Sequence, residues 1–370
     1  MRQPIYIKPK ERQMKRQKII ASLLLICLVF QFVALSSCEK KGSDGREKFT
    51  EYSLDFFDTA TSITGYTDTR EEFDRICEEL FELLGDYHRL FTIYHRYEGM
   101  ENLCTVNELK DGEHRVVTVD GRIIDMLLYA REIYELTDGR VNVAMGSVLS
   151  IWHDYRTKGM DKPWEAELPP MDKLESAALH TSIEDMIIDE ENSTVWLRDP
   201  QMKLDVGAIA KGYAVEMAAR YLEEQGIEGF VINVGGNVRT VGTKPSGEAW
   251  VAGIEDPDES AEDYLVYLKL SGESVVTSGS YQRYYVVGDK SYHHIIDPET
   301  LMPATGYLSV SVVCKDSGQG DGLSTALFCM SYEDGLTLVE SLEGVEAIWV
   351  LPDGAQRTSS GFSSFVTEYK

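Results

Sequence analysis

Three long amphipathic helical stretches are followed by a run of short β segments with no helix between them. That order constrains the fold more than any other feature of the sequence. Arg70–Phe91 places Phe73, Ile76, Leu80, Leu83 and Leu84 at helical spacing. Asp120–Leu136 repeats the pattern with Ile123, Ile124, Leu127, Leu128 and Ile133. Ala208–Gln225 aligns Ile209, Tyr213, Met217 and Tyr221 on one stripe, with Gly226 as its stop. Asp172–Leu179 is a shorter helical stretch, and the alternation in Met186–Leu197 predicts a hairpin turning at Glu191-Asn192. The β-runs are Gly229–Val234, Val238–Gly242, Trp250–Ile254, Tyr264–Leu270, Tyr284–Val287 and Ser309–Val313. A last helix begins near Asp321, and Ala347–Leu351 makes a final strand. Helices and sequential strands mixed without a regular βαβ rhythm predict an α+β fold rather than a doubly wound sheet. We expect one domain over residues 51–370, with mixed or antiparallel sheets and packed helices, and no internal repeat.

The first fifty residues read as an address. Arg12, Lys15, Arg16 and Lys18 precede an apolar run from Ile19 to Leu35, the pattern of a secretory signal. The run is marginal for a permanent span, which takes about 20 apolar residues. It ends in Leu35-Ser36-Ser37-Cys38, small residues before a single Cys, which resembles the lipobox of bacterial lipoproteins. The expectation is a signal peptide over 1–37, a lipidated Cys38 and a tether over 38–50, with an uncleaved N-terminal helix as the alternative. Either way the bulk of the chain lies at the extracytoplasmic face of a bacterial membrane. Glu39 follows the Cys, so no Asp-type sorting signal stands there.

Charge excludes one class of partner. A formal net charge of −26 leaves no basic footprint for nucleic acid. An anionic ligand therefore needs local help from a helix N-terminus, a basic side chain or a metal ion. Cys77, Cys104, Cys314 and Cys329 remain after the signal and Cys38 are set aside, and no Cys-x-x-Cys spacing occurs. Four scattered thiols read as buried small hydrophobes rather than two disulfides.

Four segments combine glycine, oxygen donors and polar side chains where packing alone would not ask for them. In Leu204-Asp205-Val206-Gly207-Ala208-Ile209-Ala210-Lys211-Gly212-Tyr213, an acid and a tight turn open a helix whose first turn carries Lys211. Such a helix start suits a diphosphate, although Asp205 could equally be an N-terminal cap. The segment is not a P-loop, since no Gly-Lys-Ser/Thr follows. Val231-Ile232-Asn233-Val234-Gly235-Gly236-Asn237 lets backbone approach another element closely, with a hairpin turn as the plain alternative. Thr277-Ser278-Gly279-Ser280-Tyr281 is followed by His293-His294-Ile295-Ile296-Asp297-Pro298. Strand neighbours face opposite ways, so at most one of the two histidines points into a given site. His294, beside Asp297, is the candidate for acid–base work. Asp321 and Thr325 are i and i+4 on one helical face, a carboxylate and a hydroxyl suited to magnesium rather than zinc, unless Asp321 is simply a cap.

Taken in order, these segments resemble the FAD:protein FMN transferase family, also called ApbE. The resemblance rests on Asp205-x-Gly-x-Ile-Ala-Lys-Gly-Tyr, Ile232-Asn-x-Gly-Gly-Asn, Thr277-Ser-Gly-x-Tyr, His294-x-Ile-Asp-Pro and Asp321-x-x-x-Thr-Ala-Leu-Phe. Phe57-Asp58-Thr59, Leu90-Phe91-Thr92-Ile93-Tyr94 and Gly139–Gly146 agree, so it covers about residues 52–352. It implies a domain that holds FAD as substrate in a cleft, with magnesium at the diphosphate. Asp205 and Lys211 then match flavin-nucleotide contacts, and the Ala208 carbonyl, Asp321 and Thr325 match metal ligands. Tyr94 falls beside the flavin, Ala144, Met145 and Gly146 match a cofactor-touching loop, and Ile295 or Ile296 sits in the adenine–ribose region. His294 matches the reactive-site histidine. The family's Asp-Pro-Thr-x-Gly-Pro is replaced here by Asn142-Val143-Ala144-Met145-Gly146-Ser147, and its Ser-Gly-Asp by Ser278-Gly279-Ser280. The implied reaction is attack of an acceptor Thr or Ser hydroxyl on the FMN-side phosphorus, releasing AMP. The implied clients are membrane-associated electron-transfer subunits carrying a short Ser/Thr-containing motif. A same-fold hydrolase that splits FAD to FMN and AMP, and a lipoprotein that only binds flavin, are the competing readings.

Overall fold

A computed structural model describes residues 42–108, 116–258, 261 and 264–369. The signal segment, Cys38 and the first part of the tether lie outside the described residues. Eight α-helices are described: α1 Arg70–Phe91, α2 Leu103–Asn107, α3 Gly121–Leu136, α4 Gly146–Asp161, α5 Met171–Ala178, α6 Ala210–Glu224, α7 Ser317–Phe328 and α8 Tyr332–Ser341. The amphipathic stripes of α1 and α3 bury the residues their spacing assigned, Phe73, Ile76, Leu80 and Leu84 on one helix and Ile123, Ile124, Leu127 and Ile133 on the other. Thr69 caps α1 by accepting from the Glu72 N–H, and Asp120 caps α3 through the Arg122 N–H.

An eight-stranded sheet runs in the order Glu47–Phe56, Thr59–Thr67, Phe230–Val234, Asn237–Val241, Ser274–Gly279, Ser309–Cys314, Glu346–Val350 and Gln356–Thr358. Every ladder in it is antiparallel. The α+β expectation is met, with the parallel contribution reduced to an isolated bridge between Met145 and Lys203. Smaller sheets join Trp250–Glu255 to Tyr264–Leu270 and Val366–Tyr369, and Val117–Thr118 to Thr194–Leu197 and Met186–Asp189. The last pair is the hairpin predicted for Met186–Leu197. A ribbon pairs Tyr284–Val287 with Lys290–His293.

Several boundaries differ from expectation for identifiable reasons. The first strand begins at Glu47, inside the stretch read as tether, because Glu47 to Ser53 pair in register with Thr67 to Thr61. The helix expected near Asp321 starts a turn earlier, at Ser317, because Asp316 accepts from the Gln319 N–H as its cap. It is not the last helix, since α8 follows. The four cysteines of the folded domain are free. No helix among the described residues is long and apolar enough to cross a membrane.

Two hairpin turns lie side by side at one end of the large sheet. Phe57 and Asp58 have φ of 52° and 53°, and Gly235 and Gly236 have φ of 57° and 91°. Positive φ at both central residues is the geometry that matches strand twist, and both readings of the Gly-Gly pair hold at once. It is a hairpin turn, and a Cβ on Gly235 would stand 2.4 Å from Thr59 Oγ1, so it is also a close approach. Deeper in the same strands, a Cβ on Gly65 would lie 2.3 Å from the ring of Phe230, which itself stacks on Phe73 at 6.0 Å. Gly65→Ala should therefore cost about 1–3 kcal/mol through overpacking. Urea denaturation checks this; an unchanged midpoint would mean that the aromatic stack yields freely.

Candidate active site

The loop from Asp205 to Ile209 brings the first group of polar residues together. Asp205 does not cap a helix, because α6 begins only at Ala210; its Oδ1 accepts from the Gly207 N–H at 2.9 Å. Burial pushes its carboxyl above the ordinary carboxylate value, against the Gly207 N–H and the charges of His153 and Arg156. The loop is pinned from the other side by the segment before α4. There the Asp205 N–H donates to the Val143 carbonyl at 2.8 Å and the Gly146 N–H to the Lys203 carbonyl at 3.0 Å. Gly146 is required here, since a Cβ would fall 2.5 Å from that carbonyl oxygen. Ala144 and Met145 are buried, so this segment acts on the site by holding the Asp205 loop.

Lys211 and Gly212 face Asp321. Lys211 Nζ stands 3.3 Å from both carboxylate oxygens, and the Gly212 N–H donates to Oδ2 at 2.9 Å. The expected free N–H groups of this helix start are thus partly committed to a carboxylate. The pairing depends on the missing side chain of Gly212: a Cβ would meet the Ser317 carbonyl at 2.3 Å and Asp321 Cβ at 2.5 Å. Asp321 lies within α7 rather than at its cap, with Thr325 one turn on. Ser278 Oγ lies 2.9 Å from Ser324 Oγ and 3.3 Å from Thr325 Oγ1, which fixes that hydroxyl against the neighbouring strand. Ala208, half-buried, sits in the loop just before α6.

His293 and His294 divide their work as strand neighbours should. His293 turns inward, with Nε2 2.6 Å from the Ala304 carbonyl and its ring edge-on to Phe328. His294 has a buried Nδ1 with no hydrogen-bond partner. Burial holds its pKa down to about 3, helped by the charges of Arg283, Arg156, His293 and Lys211. The expected partnership with Asp297 is not formed. That carboxylate accepts from the Glu299 N–H and the Thr300 hydroxyl and lies 3.7 Å from Arg140. Ile295 and Ile296 are both buried, in two different apolar clusters.

Tyr94 is half exposed and its ring lies 5.0 Å from that of His153, tilted by 31°. Burial of the hydroxyl, with Asp205 nearby, raises its pKa to about 12. His153 in turn is 3.2 Å from Arg156 Nη2. His153, Arg156 and Arg283 escaped the reading of the sequence. The i, i+3 spacing of His153 and Arg156 behind Gly146 was the available signal. Ser280, where the family carries Asp, spends its hydroxyl on the Leu308 carbonyl at 3.1 Å.

Comparison with known proteins points to one family. The ApbE family model matches residues 57–349. A Klebsiella pneumoniae protein named FAD:protein FMN transferase is 34% identical over 271 residues, covering 71% of this chain and 81% of its own length. A protein of the same name from Vibrio cholerae is 27% identical over 357 residues, covering 94% and 98%. The crystal structure of the ApbE protein from Thermotoga maritima superposes with a TM-score of 0.74 at 29% identity, over 87% of this chain and 100% of that one. With five motifs in order, one fold and a family match over most of its length, the chain belongs to the ApbE family.

Proposed function

We propose that this enzyme moves the FMN half of FAD onto a Ser or Thr hydroxyl of a partner protein, releasing AMP, with magnesium at the Asp321 end of the cleft. The observation that carries the reading is the buried Asp321 carboxylate, held by the Gly212 N–H and faced by Lys211, in a chain of this family. Asp321, Thr325 and the Ala208 carbonyl offer only oxygen, the donor type of a hard cation. Among the described residues no group of three His, Cys, Asp or Glu could hold a metal alone. The donor set therefore fits an ion that completes its sphere with substrate oxygens and water. Held by Asp321, Thr325 and the Ala208 carbonyl, magnesium would offset diphosphate charge and polarise the phosphoryl oxygens.

The chain's own residues do the rest. The exposed Tyr94 ring, backed by His153, offers an aromatic face for the flavin, and its raised pKa keeps the phenol neutral. The acceptor oxygen bonds to the FMN-side phosphorus, the bond toward AMP breaks, and its electron pair leaves with AMP. The hydroxyl proton passes to the His294 imidazole, which burial keeps in its neutral form at pH 7. A lipidated Cys38 would keep this chemistry at the extracytoplasmic membrane face, beside membrane-associated electron-transfer subunits as clients. Incubation with FAD, magnesium and a Ser/Thr-containing acceptor separates the alternatives. In-gel flavin fluorescence on the acceptor marks transfer, AMP without it marks a hydrolase, and neither marks a flavin-binding protein.

Asp321→Asn keeps the side chain's shape and removes its charge. Transfer should fall by about 100-fold or more, the scale of losing one charge-stabilising group, and the magnesium dependence of FAD binding should flatten. Wild-type turnover in that variant would overturn the metal assignment. His294 makes a second, independent expectation. Its pKa in the native protein is about 3, against about 6.5 for an unfolded histidine. Between those values the unfolded chain binds a proton that the native state refuses, so stability falls as pH drops, by at most about 1.4 kcal/mol per pH unit. The stability difference between wild type and His294→Gln should therefore shift against wild type from pH 7 to pH 4. A difference flat with pH would show that His294 titrates normally.

A further inference from the structure

In a chain this acidic, an arginine without a carboxylate is informative. Arg70, Arg122, Arg140, Arg220 and Arg239 each hold at least one acid. Arg156 and Arg283 hold none among the described residues, and Arg156 hydrogen-bonds to His153 rather than to an acid. Arg156 is half-buried on α4, and Arg283 lies immediately before the Tyr284–Val287 strand that packs against that helix. Arg156 feels the like charge of Arg283, and both act on His294 and on Tyr94. Asp205, the acid that acts on Arg156, gives its oxygen to the Gly207 N–H instead. Arg283 is exposed and its charge is met by water, whereas the half-buried Arg156 is left without a counter-charge that a bound anion would supply.

Lys211 cannot fill the same role alone, because Asp321 already balances it at 3.3 Å. We propose that Arg156 and Arg283 form a cationic wall that grips phosphate oxygens of the bound flavin nucleotide, on the Tyr94 side of the site. Guanidinium forks suit phosphate oxygens in a way a lysine does not. His153 holds Arg156 through Nδ1 while its ring lies against Tyr94, so the flavin platform and the phosphate grip share one residue. This assignment rests on the flavin-nucleotide reading above and names the residues that would bind its anionic part.

The test is equilibrium titration of full-length protein with FAD, FMN and riboflavin, followed by flavin fluorescence, and with inorganic pyrophosphate followed by calorimetry. Arg156→Gln and Arg283→Gln should each raise the Kd for FAD and FMN by roughly tenfold or more. Riboflavin, which has no phosphate, should bind each variant as it binds wild type, and Arg156→Lys should recover part of the loss. A fall in riboflavin affinity equal to that for FAD would assign the arginines to folding or to the ring platform and overturn the proposal. Unchanged FAD and FMN affinity with a raised KM for the acceptor protein would overturn it too, assigning the pair to acceptor carboxylates. Arginine-dependent pyrophosphate binding in a wild-type protein that ignores all three flavins would uphold the anion grip and sink the flavin reading instead.

Discussion

The site hangs on one buried charge network behind it. Glu216, buried on α6, accepts from Arg239 Nε at 3.1 Å, Arg220 Nε at 3.0 Å and the Ser317 N–H at 3.0 Å. Arg239, fully buried, spends further donors on Glu223, the Thr240 carbonyl and the Gly272 carbonyl. A buried ion pair stabilises only when its remaining hydrogen-bonding positions are filled, and four of the five N–H groups of Arg239 are so used. The network joins α6, the Asn237–Val241 strand and the first residue of α7. Gly212 lies one turn before Glu216 on the same face of α6. The contact that brings Gly212 and Lys211 to Asp321 is thus fixed a turn away by a pair with no freedom to shift.

What was legible in the sequence follows from how each element is stabilised. Helix α1 was readable to the residue because an apolar stripe and two end signals coincide, Thr69 at its start and Thr92 at its stop. Helix α4 was missed because it opens on Gly146 without a side-chain cap and buries few residues, leaving its apolar spacing weak. His153 and Arg156 went unread with it. The Glu47–Phe56 strand lies at the sheet edge with mostly polar, partly exposed residues, so no alternation marked it. The pairing of Lys211 with Asp321 spans 110 residues, a distance over which spacing rules carry no information.

The two departures from the family pattern have different consequences. Asn142 keeps the turn that an Asp would make, since its Oδ1 accepts from the Ala144 N–H at 2.8 Å while Nδ2 donates to the Thr181 carbonyl. Ser280 does not replace a carboxylate, because it binds backbone. The site thus has one carboxylate fewer than the family pattern, and His294 keeps a buried ring nitrogen without a partner.

Ile295 and Ile296 were expected at the nucleotide, yet their side chains are sunk in protein. Ile295 belongs to the cluster of Val310, Leu323 and Trp349, and Ile296 to that of Met145, Trp152 and Tyr285. Two consecutive residues therefore stitch two separate cores, and His294 is the next residue along the seam. The first core carries α7 with Asp321; the second carries α4 with Arg156. Any slip of one core against the other reaches the imidazole with almost no lever arm to absorb it. The spacing between Asp321 and Arg156 is thus set by how these two cores meet, and a substitution inside either core can change it without touching a charged group.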